Sequence, residues 1–346
     1  MIKGNIVING RFKNQRMTGV QRYALEVTSR FEGRYDCLTP TLHKSTVFQH
    51  IWEQTVLPFH VKKKRGVLFS PSNIGPLVLD RQVVTIHDVA VLEHPEWFSK
   101  KFYNYYKFML PILAHRSLHI ITVSEYSKAK ISKILGIDSR KIEVVPNGVS
   151  EEFSVQGLDL VKAVKHKYGV IKEYIFVLSS IEPRKNIVTA LESWQKVRFK
   201  YKSVEIVVAG ERNSVFGEVS IKPSLLEGVR FVGYVDDEDL PALMSGAIFF
   251  LYPSLYEGFG LPLLESMACG TPVLSSNTTS IPEVVGECGV LVDPMDVNQI
   301  SNAIEYLLCD SIARERLRVC GEARAKEFSW DLTAKKTEAI LKYFVD

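Results

Sequence analysis

The sequence predicts an α/β protein built from two doubly wound parallel sheets in tandem. Short runs rich in Val and Ile alternate with longer helical patterns along the whole chain, which is typical of parallel strands covered by helices on both faces. These runs form two sets of about five, each the size of one doubly wound unit. The length of 346 residues also favours two domains, each with enough apolar residues for its own core.

The strand candidates follow one another at regular spacing. In the first half they are "NIVIN", "GVLFSPS", "QVVTIHD", "LHIITVS" and "IEVVPNG". In the second half they are "YIFVLSS", "VEIVVAG", "VRFVGYV", "AIFFLYPS" and "TPVLSSN". The polar segment 151–160 between the two sets is the predicted linker. We therefore expect one domain over residues 1–155 with a returning C-terminal helix at 330–346, and a second domain over 156–329.

Composition narrows the classes of function. The net charge of +4 is too weak to indicate a nucleic-acid partner, but it is compatible with an anionic ligand or membrane surface. The five cysteines include no C-x-x-C pair, so we expect neither a disulfide framework nor a zinc site, and we expect a reducing, cytoplasmic location. We expect no signal peptide, and no apolar run is long enough to span a bilayer. Any membrane contact is therefore expected to be peripheral.

Two glutamates flank a glycine-rich turn in "YPSLYEGFGLPLLESMACG". Glu257 follows a predicted strand, and Glu265 is expected in the first turn of a helix in which Pro262 is the first residue. Gly258 and Gly260 lack a Cβ, so their backbone N–H groups can come close to a ligand. Carboxylates accept hydrogen bonds from sugar hydroxyls, and a helix N-terminus favours phosphate. The segment therefore indicates a polyhydroxylated ligand that carries a phosphate, although alone it is equally typical of an ordinary turn and helix start.

Two adjacent cations, Arg184 and Lys185, follow the strand "YIFVLSS" and precede a helix that Asn186 is expected to open. Cations are unfavourable at a helix N-terminus because the helix dipole prefers negative charge there, and a bound anion would offset that cost. The fork of an Arg and the point charge of a Lys suit a diphosphate. The alternative is a pair of ordinary surface cations.

Taken together, these segments resemble the retaining nucleotide-sugar glycosyltransferases of family 4, which have the GT-B fold. The resemblance covers almost the full length and includes "TGVQRYALEV", "IWEQTVLP", "VVTIHDVAVLEHPEWFS", "ITVSEYSKAKI", "VVPNGV" and "VGYVDDEDLPALMSGA". It implies two Rossmann-like domains facing a central cleft. The chain is most similar to bacterial members that build O-antigen, capsule or exopolysaccharide, many of which are mannosyltransferases.

The resemblance also implies a role for each candidate site residue. Arg184 and Lys185 would hold the diphosphate, Glu257 would contact the donor sugar, and Glu265 would bind the ribose hydroxyls. His87 would reach the transferred sugar, so the catalytic contributions would come from His87, Arg184, Lys185 and Glu257. Further donor contacts would come from Gly19, Tyr234, Val235, Gly258, Phe259 and Gly260.

The implied reaction needs no cofactor and no metal. Arg184, Lys185 and a helix N-terminus would face the phosphate oxygen on which negative charge grows as the glycosidic bond breaks. Retention of configuration is expected from front-face attack, with the departing phosphate taking the acceptor proton, and no covalent nucleophile is assigned. The acidic run 236–239 follows a strand and starts a helix, so we expect it to cap that helix rather than bind a metal.

Two departures from the family pattern bear on the site. Many relatives have a glycine where this chain has Ser179 or Ser180, so the approach of that backbone to the phosphates can differ. The N-terminal loop has one glycine, Gly19, where other members have two or three. The second departure concerns the acceptor side.

The stretch Pro95 to Arg116 mixes lysines with aromatic residues, which suits a helix at an anionic membrane interface near a lipid-linked acceptor. However, Phe102, Tyr106 and Leu110 recur at helical spacing and equally predict a buried face. The basic run 62–65 either adds to the same surface or is a solvated turn.

The expected partners are a nucleotide diphosphate sugar, with GDP-mannose as the best choice, and a lipid-linked or oligosaccharide acceptor. A UDP-sugar-dependent transferase, a sugar phosphorylase or nucleotide-sugar epimerase of the same fold, and a non-catalytic nucleotide-sugar-binding module remain as alternatives. Product analysis distinguishes these classes. A dehydrogenase is disfavoured because "NIVINGRFKNQRMTGVQRY" lacks the G-x-G-x-x-G turn after the first strand.

Overall fold

The computed structural model describes residues 5–15, 17–33, 35–40, 46–211, 215–217 and 219–345. The chain divides into two compact units. The first unit comprises Met1–Pro95, Lys100–Gly148 and Ser329–Asp346, and the second comprises Glu96–Ser99 and Val149–Phe328.

Two short segments belong to the second unit, whereas the sequence analysis had assigned them to the first. One is 96–99, whose backbone pairs with a neighbouring loop: Ser99 N donates to Val215 O at 2.9 Å, and Gly217 N donates to Trp97 O at 2.8 Å. The other is 149–155, which includes the first half of the predicted linker 151–160.

The first unit contains one parallel sheet. Its strands are β1 (Ile6–Asn9), β2 (Asp36–Leu38), β3 (Val67–Ser70), β4 (Gln82–Thr85), β5 (His119–Thr122) and β6 (Ile142–Val144). Its helices are α1 (Gly19–Ser29), α2 (Thr46–Lys63), α3 (Ala90–Glu93), α4 (Lys100–Arg116), α5 (Glu125–Leu135) and, from the end of the chain, α13 (Trp330–Tyr343). Among the described residues the strand order is β2-β1-β3-β4-β5-β6.

The second unit contains another parallel sheet. Its strands are β7 (Glu173–Leu178), β8 (Val204–Ala209), β9 (Val229–Gly233), β10 (Phe249–Tyr252), β11 (Val273–Ser276) and β12 (Gly289–Val292). Its helices are α6 (Leu158–Lys167), α7 (Ile187–Val197), α8 (Leu240–Ser245), α9 (Leu261–Ala268), α10 (Ile281–Val285), α11 (Val297–Cys309) and α12 (Ser311–Ala325). In the described part of this unit the strand order is β12-β11-β10-β7-β8-β9.

The prediction of two doubly wound parallel sheets is confirmed. All ten predicted strands form, and the structure adds β2 and β12, each at one edge of its sheet. The residues of β2 and most of those of β12 are only partly buried, so these strands lack the continuous apolar run of a central parallel strand. Of the residues that the structure describes, none forms a helix with the length and hydropathy needed to cross a bilayer.

The strand order of each sheet reverses at one point. The second sheet starts at β7, extends to β9 at one edge, and continues with β10 on the other side of β7. The first sheet reverses in the same way between β1 and β3. At such a point the loops leave the two strands in opposite directions, so a crevice opens at their carboxyl ends where ligands of open α/β sheets bind. The residues that follow β7 and β10 are therefore the first to consider as a site.

The core of the second unit lies between its sheet and helices such as α7 and α11. Trp194 on α7 is completely buried there, and its indole N–H donates to Gly228 O at 3.2 Å. Trp194 packs with buried side chains from β8 and α11, including Val208 and Ile304. The apolar face of α7 thereby fixes the start of this helix, which begins two residues after Lys185.

Helix α13 packs in the first unit against α1. Trp330 is edge-on to Tyr23 with ring centroids 6.1 Å apart, and Arg30 Nε donates to Asp331 Oδ1 at 3.0 Å. The segment "VVPNGV" passes under the beginning of this helix. A Cβ added to Gly148 would lie 2.1 Å from the backbone nitrogen of Trp330, so the close approach requires glycine at this position.

The segment "IWEQTVLP" ties α2 to the first sheet. Glu53 is completely buried and accepts hydrogen bonds from Arg11 Nη1 at 2.9 Å and from Asn9 Nδ2 at 2.7 Å. Gln54 donates to Gly75 O at 3.0 Å and accepts from Leu77 N at 2.8 Å. The side chains of Glu53 and Gln54 therefore fix the turns that follow β1 and β3, on both sides of the reversal point of this sheet.

Cys288 and Cys320 form a disulfide, with Cα atoms 5.1 Å apart, that links the segment after α10 to α12. The expectation that no cysteines pair is therefore wrong for these two. They are separated by 32 residues and belong to no motif, so only the packing of α12 brings them together. In the described part of the chain, Cys37, Cys269 and Cys309 remain thiols.

Candidate functional site

The chain leaves β7 through a single 3-10 turn at Pro183–Lys185. Arg184 Nε and Nη2 donate to Glu182 Oε1 at 3.0 and 2.8 Å. Lys185 Nζ donates to Glu257 Oε1 at 2.6 Å. The two cations thus have carboxylate partners, although the sequence analysis expected only a bound anion to offset their charge.

Asn186 joins the turn after β7 to the loop after β10. It adopts a left-handed conformation with φ 56° directly before α7, and its side-chain amide donates to Pro253 O at 3.1 Å and to Pro294 O at 2.7 Å. In the same region Leu255 N donates to Arg184 O at 2.8 Å. The loops on both sides of the reversal point are therefore bonded to each other.

Glu257 lies in the loop between β10 and α9 and is only 6% exposed. Its carboxylate accepts hydrogen bonds from Lys185 Nζ and, at 2.8 Å, from Tyr252 OH, and Arg184 Nη1 lies 3.6 Å away. Burial alone would raise the pKa of Glu257, but Lys185 and Arg184 outweigh it and lower the pKa to about 2. Glu257 is therefore a charged acceptor at neutral pH.

Lys185 and Tyr252 complete this cluster. Burial lowers the pKa of Lys185, and the negative charge of Glu257 opposes that shift. Burial also raises the pKa of Tyr252 well above its ordinary value, with a further increase from Glu257, so its hydroxyl stays protonated and can donate. The cluster therefore combines a buried ammonium, a buried carboxylate and a neutral donor.

The backbone of Glu257 is fixed as firmly as its side chain. Its N–H donates to Thr279 Oγ1 at 3.3 Å, and its carbonyl accepts from Ser280 Oγ at 2.9 Å. The loop then ends at Gly260, whose φ of 96° is unfavourable for a residue with a Cβ. The segment 277–280 before α10 therefore positions the carboxylate.

Glu265 lies in α9, at 5% exposure. The helix begins at Leu261 with Pro262 as its second residue, so Glu265 lies in the second turn and not, as the sequence analysis expected, in the first. Burial raises the pKa of the neighbouring Cys269 thiol to about 12, and the negative charge of Glu265 adds to that shift. Glu265 is thus a buried carboxyl group on the helix that directly follows the Glu257 loop.

The other predicted donor contacts lie at the carboxyl ends of β9 and β10. Gly233 ends β9, and its carbonyl accepts from Gly210 N at 2.7 Å. Tyr234, which follows it, is 48% exposed, and Val235 is buried. In the Glu257 loop, between Gly258 and Gly260, the Phe259 ring is buried edge-on against Phe328 with centroids 5.8 Å apart.

His87 follows β4 in the first unit and is buried. Its Nε2 lies 3.2 Å from Pro71 O, its ring is edge-on to Tyr23 at 4.7 Å, and its backbone N–H donates to Asn73 Oδ1 at 2.7 Å. Burial lowers the pKa of His87 to about 4, although the Pro71 carbonyl and Asp88 act in the opposite direction. The ring is therefore neutral at pH 7, and because Nε2 must donate to the carbonyl, Nδ1 is the acceptor.

Gly19 is the first residue of a helix in the first unit, and Asp88 lies two residues before another. Gly19 is the first residue of α1, and a Cβ added there would meet no atom within 4 Å. Asp88 Oδ1 accepts from Ala90 N at 2.9 Å at the start of α3. The N-cap position of α3 is Val89, which makes no side-chain capping bond, so Asp88 forms a turn one residue ahead of the helix cap.

The acidic run 236–239 forms ion pairs rather than a side-chain cap. Lys167 Nζ lies 2.6 Å from Asp239 Oδ2 and 3.0 Å from Asp236 Oδ2, and Tyr168 OH donates to Asp239 at 2.8 Å. Asp239 is at the N-cap position of α8, but its side chain makes no capping hydrogen bond. The expected capping role is therefore wrong in detail, because α6 supplies a cation for these carboxylates.

Two residues of the cluster were missed by sequence reasoning. Tyr252 ends an apolar strand, so the pattern presents it as a core residue. Glu182 is completely buried beside Arg184, but it lies in the irregular segment between β7 and the turn, where no helix or strand periodicity indicates which side chains meet. Only the turn between them places its carboxylate on the guanidinium.

The cluster after β7 and β10 combines the groups that a phosphorylated sugar requires. Arg184 and Lys185 carry five and three N–H donors in charged groups, which suit phosphate oxygens. Glu257 is an ionised acceptor that suits sugar hydroxyls. The arrangement can therefore bind a diphosphate and a sugar side by side.

Two protein-family models match this chain. Residues 163–324 match the family described as Glycosyl transferases group 1, and residues 78–153 match Glycosyltransferase Family 4. The O-antigen chain mannosyltransferase B of Escherichia coli is 34% identical over 279 residues, which cover 79% of this chain and 73% of the relative. The serotype-specific mannosyltransferase WbdA of Escherichia coli is 30% identical over 73% of this chain, which spans only 32% of WbdA.

Solved structures share the fold at low sequence identity. The HepE protein of Anabaena in complex with UDP-glucose has a TM-score of 0.77 and 16% identity, with 98% of this chain and 99% of that chain covered. WaaG, a glycosyltransferase involved in lipopolysaccharide biosynthesis, has a TM-score of 0.70 and 17% identity, with 97% and 99% covered.

Proposed function

Because this chain belongs to glycosyltransferase family 4, whose members have the GT-B fold, we propose that it transfers a mannosyl residue from GDP-mannose to a growing surface polysaccharide. The observation that carries the proposal is the cluster of Arg184, Lys185 and Glu257 at the reversal point of the second sheet. The choice of mannose is supported by relatives named O-antigen mannosyltransferases at 34% and 30% identity. A UDP-sugar is the second candidate, since the HepE structure contains UDP-glucose.

In the proposed mechanism, the two cations stabilise the negative charge that develops on the leaving group. As the bond from the anomeric carbon to the diphosphate breaks, its electron pair moves to a phosphate oxygen, and Arg184 and Lys185 stabilise the growing charge. The acceptor hydroxyl attacks the same face of the anomeric carbon, and its proton passes to the departing phosphate. The configuration is thereby retained, and these residues act without a metal.

The remaining site residues bind the donor. Glu257 accepts hydrogen bonds from the sugar hydroxyls, and Glu265 accepts those of the ribose. Tyr234 and Val235 lie beside the base, and the backbone of Gly258, Phe259 and Gly260 contacts the sugar and phosphates. In the first unit, His87 contacts the transferred sugar and Gly19 lies in the loop that faces the phosphates and acceptor. Because His87 is neutral at pH 7, it acts as a hydrogen-bonding group and not as a cation.

The donor is tested by binding and product analysis. GDP-mannose and GDP are expected to raise the melting temperature of the protein more than UDP-glucose and UDP, because a ligand that binds only the native state stabilises it. Product analysis is then expected to show mannosyl transfer to a lipid-linked or oligosaccharide acceptor. If only the uridine nucleotides stabilise the protein, the donor is a UDP-sugar and not GDP-mannose. If the product shows phosphorolysis or an epimerised sugar, the protein is a phosphorylase or an epimerase and not a transferase.

We also propose that the protein acts at the cytoplasmic face of the inner membrane through α2. Of the aromatic residues of α4, Tyr105 and Tyr106 pack against the core of the first unit, whereas Phe108 is exposed. Residues Val47, Ile51 and Phe59 on α2 are 65%, 55% and 66% exposed and recur every four or eight positions on one helix face. The basic run 62–65 follows at the end of this helix, so the face combines apolar side chains with cations.

The membrane contact is tested by vesicle sedimentation. The protein is expected to sediment with vesicles that contain anionic phosphatidylglycerol, and less so as salt is increased. The double variant Ile51→Glu/Phe59→Glu is expected to bind about tenfold more weakly, because it replaces apolar contact with charge repulsion. Ile312→Glu, at an 82% exposed position in the second unit, is the matched control and should bind as the parent does. Equal binding by all three proteins would exclude α2 as the contact.

A further inference from the structure

Tyr252 is held rigidly at the end of β10. Its ring is stacked on Phe250 with centroids 5.5 Å apart, and its backbone carbonyl accepts from Ser275 Oγ at 2.6 Å. The Lys185 ammonium donates to the Tyr252 hydroxyl and lies 4.7 Å from the ring centroid. The hydroxyl donates to Glu257 Oε1 at 2.8 Å. Because the ring is only 2% exposed, the direction of its hydroxyl is fixed by packing.

Glu257 Oε1 therefore has two partners of different character. Lys185 is a charged donor at the end of a flexible side chain, and Tyr252 is a neutral donor on a rigid ring. A diphosphate attracts the ammonium of Lys185 strongly, since charge-assisted hydrogen bonds are about twice as strong as neutral ones. It has no comparable attraction for a neutral phenol that points at a carboxylate. We therefore expect the hydrogen bond from Tyr252 to Glu257 to stay in place when a diphosphate engages Lys185.

We propose that Tyr252 is a positioning residue that keeps the Glu257 carboxylate directed at the transferred sugar while Lys185 binds the diphosphate. The inference rests on the proposed function, in which Glu257 binds the sugar and Lys185 the diphosphate. Tyr252 then acts only on ligands that carry the sugar. Binding of a nucleoside diphosphate alone does not depend on it.

The test is Tyr252→Phe, which removes the hydroxyl and retains the stacked ring. The affinity of GDP is expected to stay within about twofold of the parent, while the affinity of GDP-mannose and kcat each fall about tenfold, as for the loss of one hydrogen bond to a charged group. Tyr256→Phe is the matched control, because Tyr256 is also buried in this region and packs edge-on against Trp97. It is expected to leave both affinities and kcat unchanged.

A double-mutant cycle with Glu257→Ala separates positioning from general damage. If Tyr252 acts through Glu257, adding Tyr252→Phe to Glu257→Ala changes kcat and donor affinity by less than about twofold. Equal weakening of GDP and GDP-mannose, an effect that persists in the Glu257→Ala background, or parent-like kinetics of Tyr252→Phe would each overturn the inference. A parent protein that binds no nucleotide sugar would overturn the proposed function as well, so the two failures are distinguishable.

Discussion

Replacing Lys185 with alanine is expected to lower kcat about 10²- to 10³-fold, the loss found when one preorganised donor to a developing negative charge is removed. The ammonium is buried at 2.6 Å from Glu257 and beside Arg184, so water does not readily replace it. The affinity for the nucleoside diphosphate should also fall. Steady-state kinetics with GDP-mannose, or with the donor that the binding panel selects, measure the first effect, and titration with GDP measures the second.

Two further variants of the protein serve as controls for this result. Lys172→Ala removes an exposed lysine of the same unit, whose ammonium bonds to Lys202 O, and it should retain the kinetics of the parent. Lys185→Met keeps the aliphatic stem of the side chain but not its charge, and it should lose activity to the same extent as the alanine variant. Full activity of Lys185→Met would show that packing, and not charge, is what this position supplies.

Replacing Glu53 with alanine is expected to lower the free energy of unfolding of the first unit by about 3–5 kcal/mol, because it leaves a buried guanidinium without its carboxylate. Arg11 and Glu53 are 2% and 0% exposed, with a 2.9 Å contact between them. Burial raises the pKa of Glu53, and Arg11 and Asn9 act against that shift, so the carboxylate depends on both partners. Urea denaturation, monitored by hydrogen exchange of the amides in β1 and β3, measures the loss of stability of this unit alone.

The double variant Arg11→Met/Glu53→Met provides the control for this prediction. Replacement of both members of a buried ion pair by apolar residues is often neutral, whereas removal of one member is costly. The double variant should therefore be more stable than Glu53→Ala. If the losses of stability caused by changing each position alone add up to the loss in the double variant, the contact between Arg11 and Glu53 is not the source of the effect.

The sequence determines most of this fold because parallel strands that are buried on both faces consist of continuous apolar runs. Strand β7, with the run "YIFVLSS", and strand β10, with "AIFFLYPS", are examples, and the residues after them could be named as candidates from the chain alone. Edge strands such as β2 cannot be predicted in this way, since they are partly exposed and contain no such run. Helix starts are also approximate, as the position of Glu265 in the second turn of α9 shows.

The sequence by itself also determined which charged residues are candidates, because Arg184, Lys185 and Glu257 each follow a strand of a doubly wound sheet. Only the tertiary structure decided how they are paired. The strand order puts β7 beside β10, so residues 72 positions apart share one hydrogen bond, with Tyr252 as a third partner. The same holds for Cys288 with Cys320. Such pairings follow from the packing of distant segments, which local periodicity along a chain does not encode.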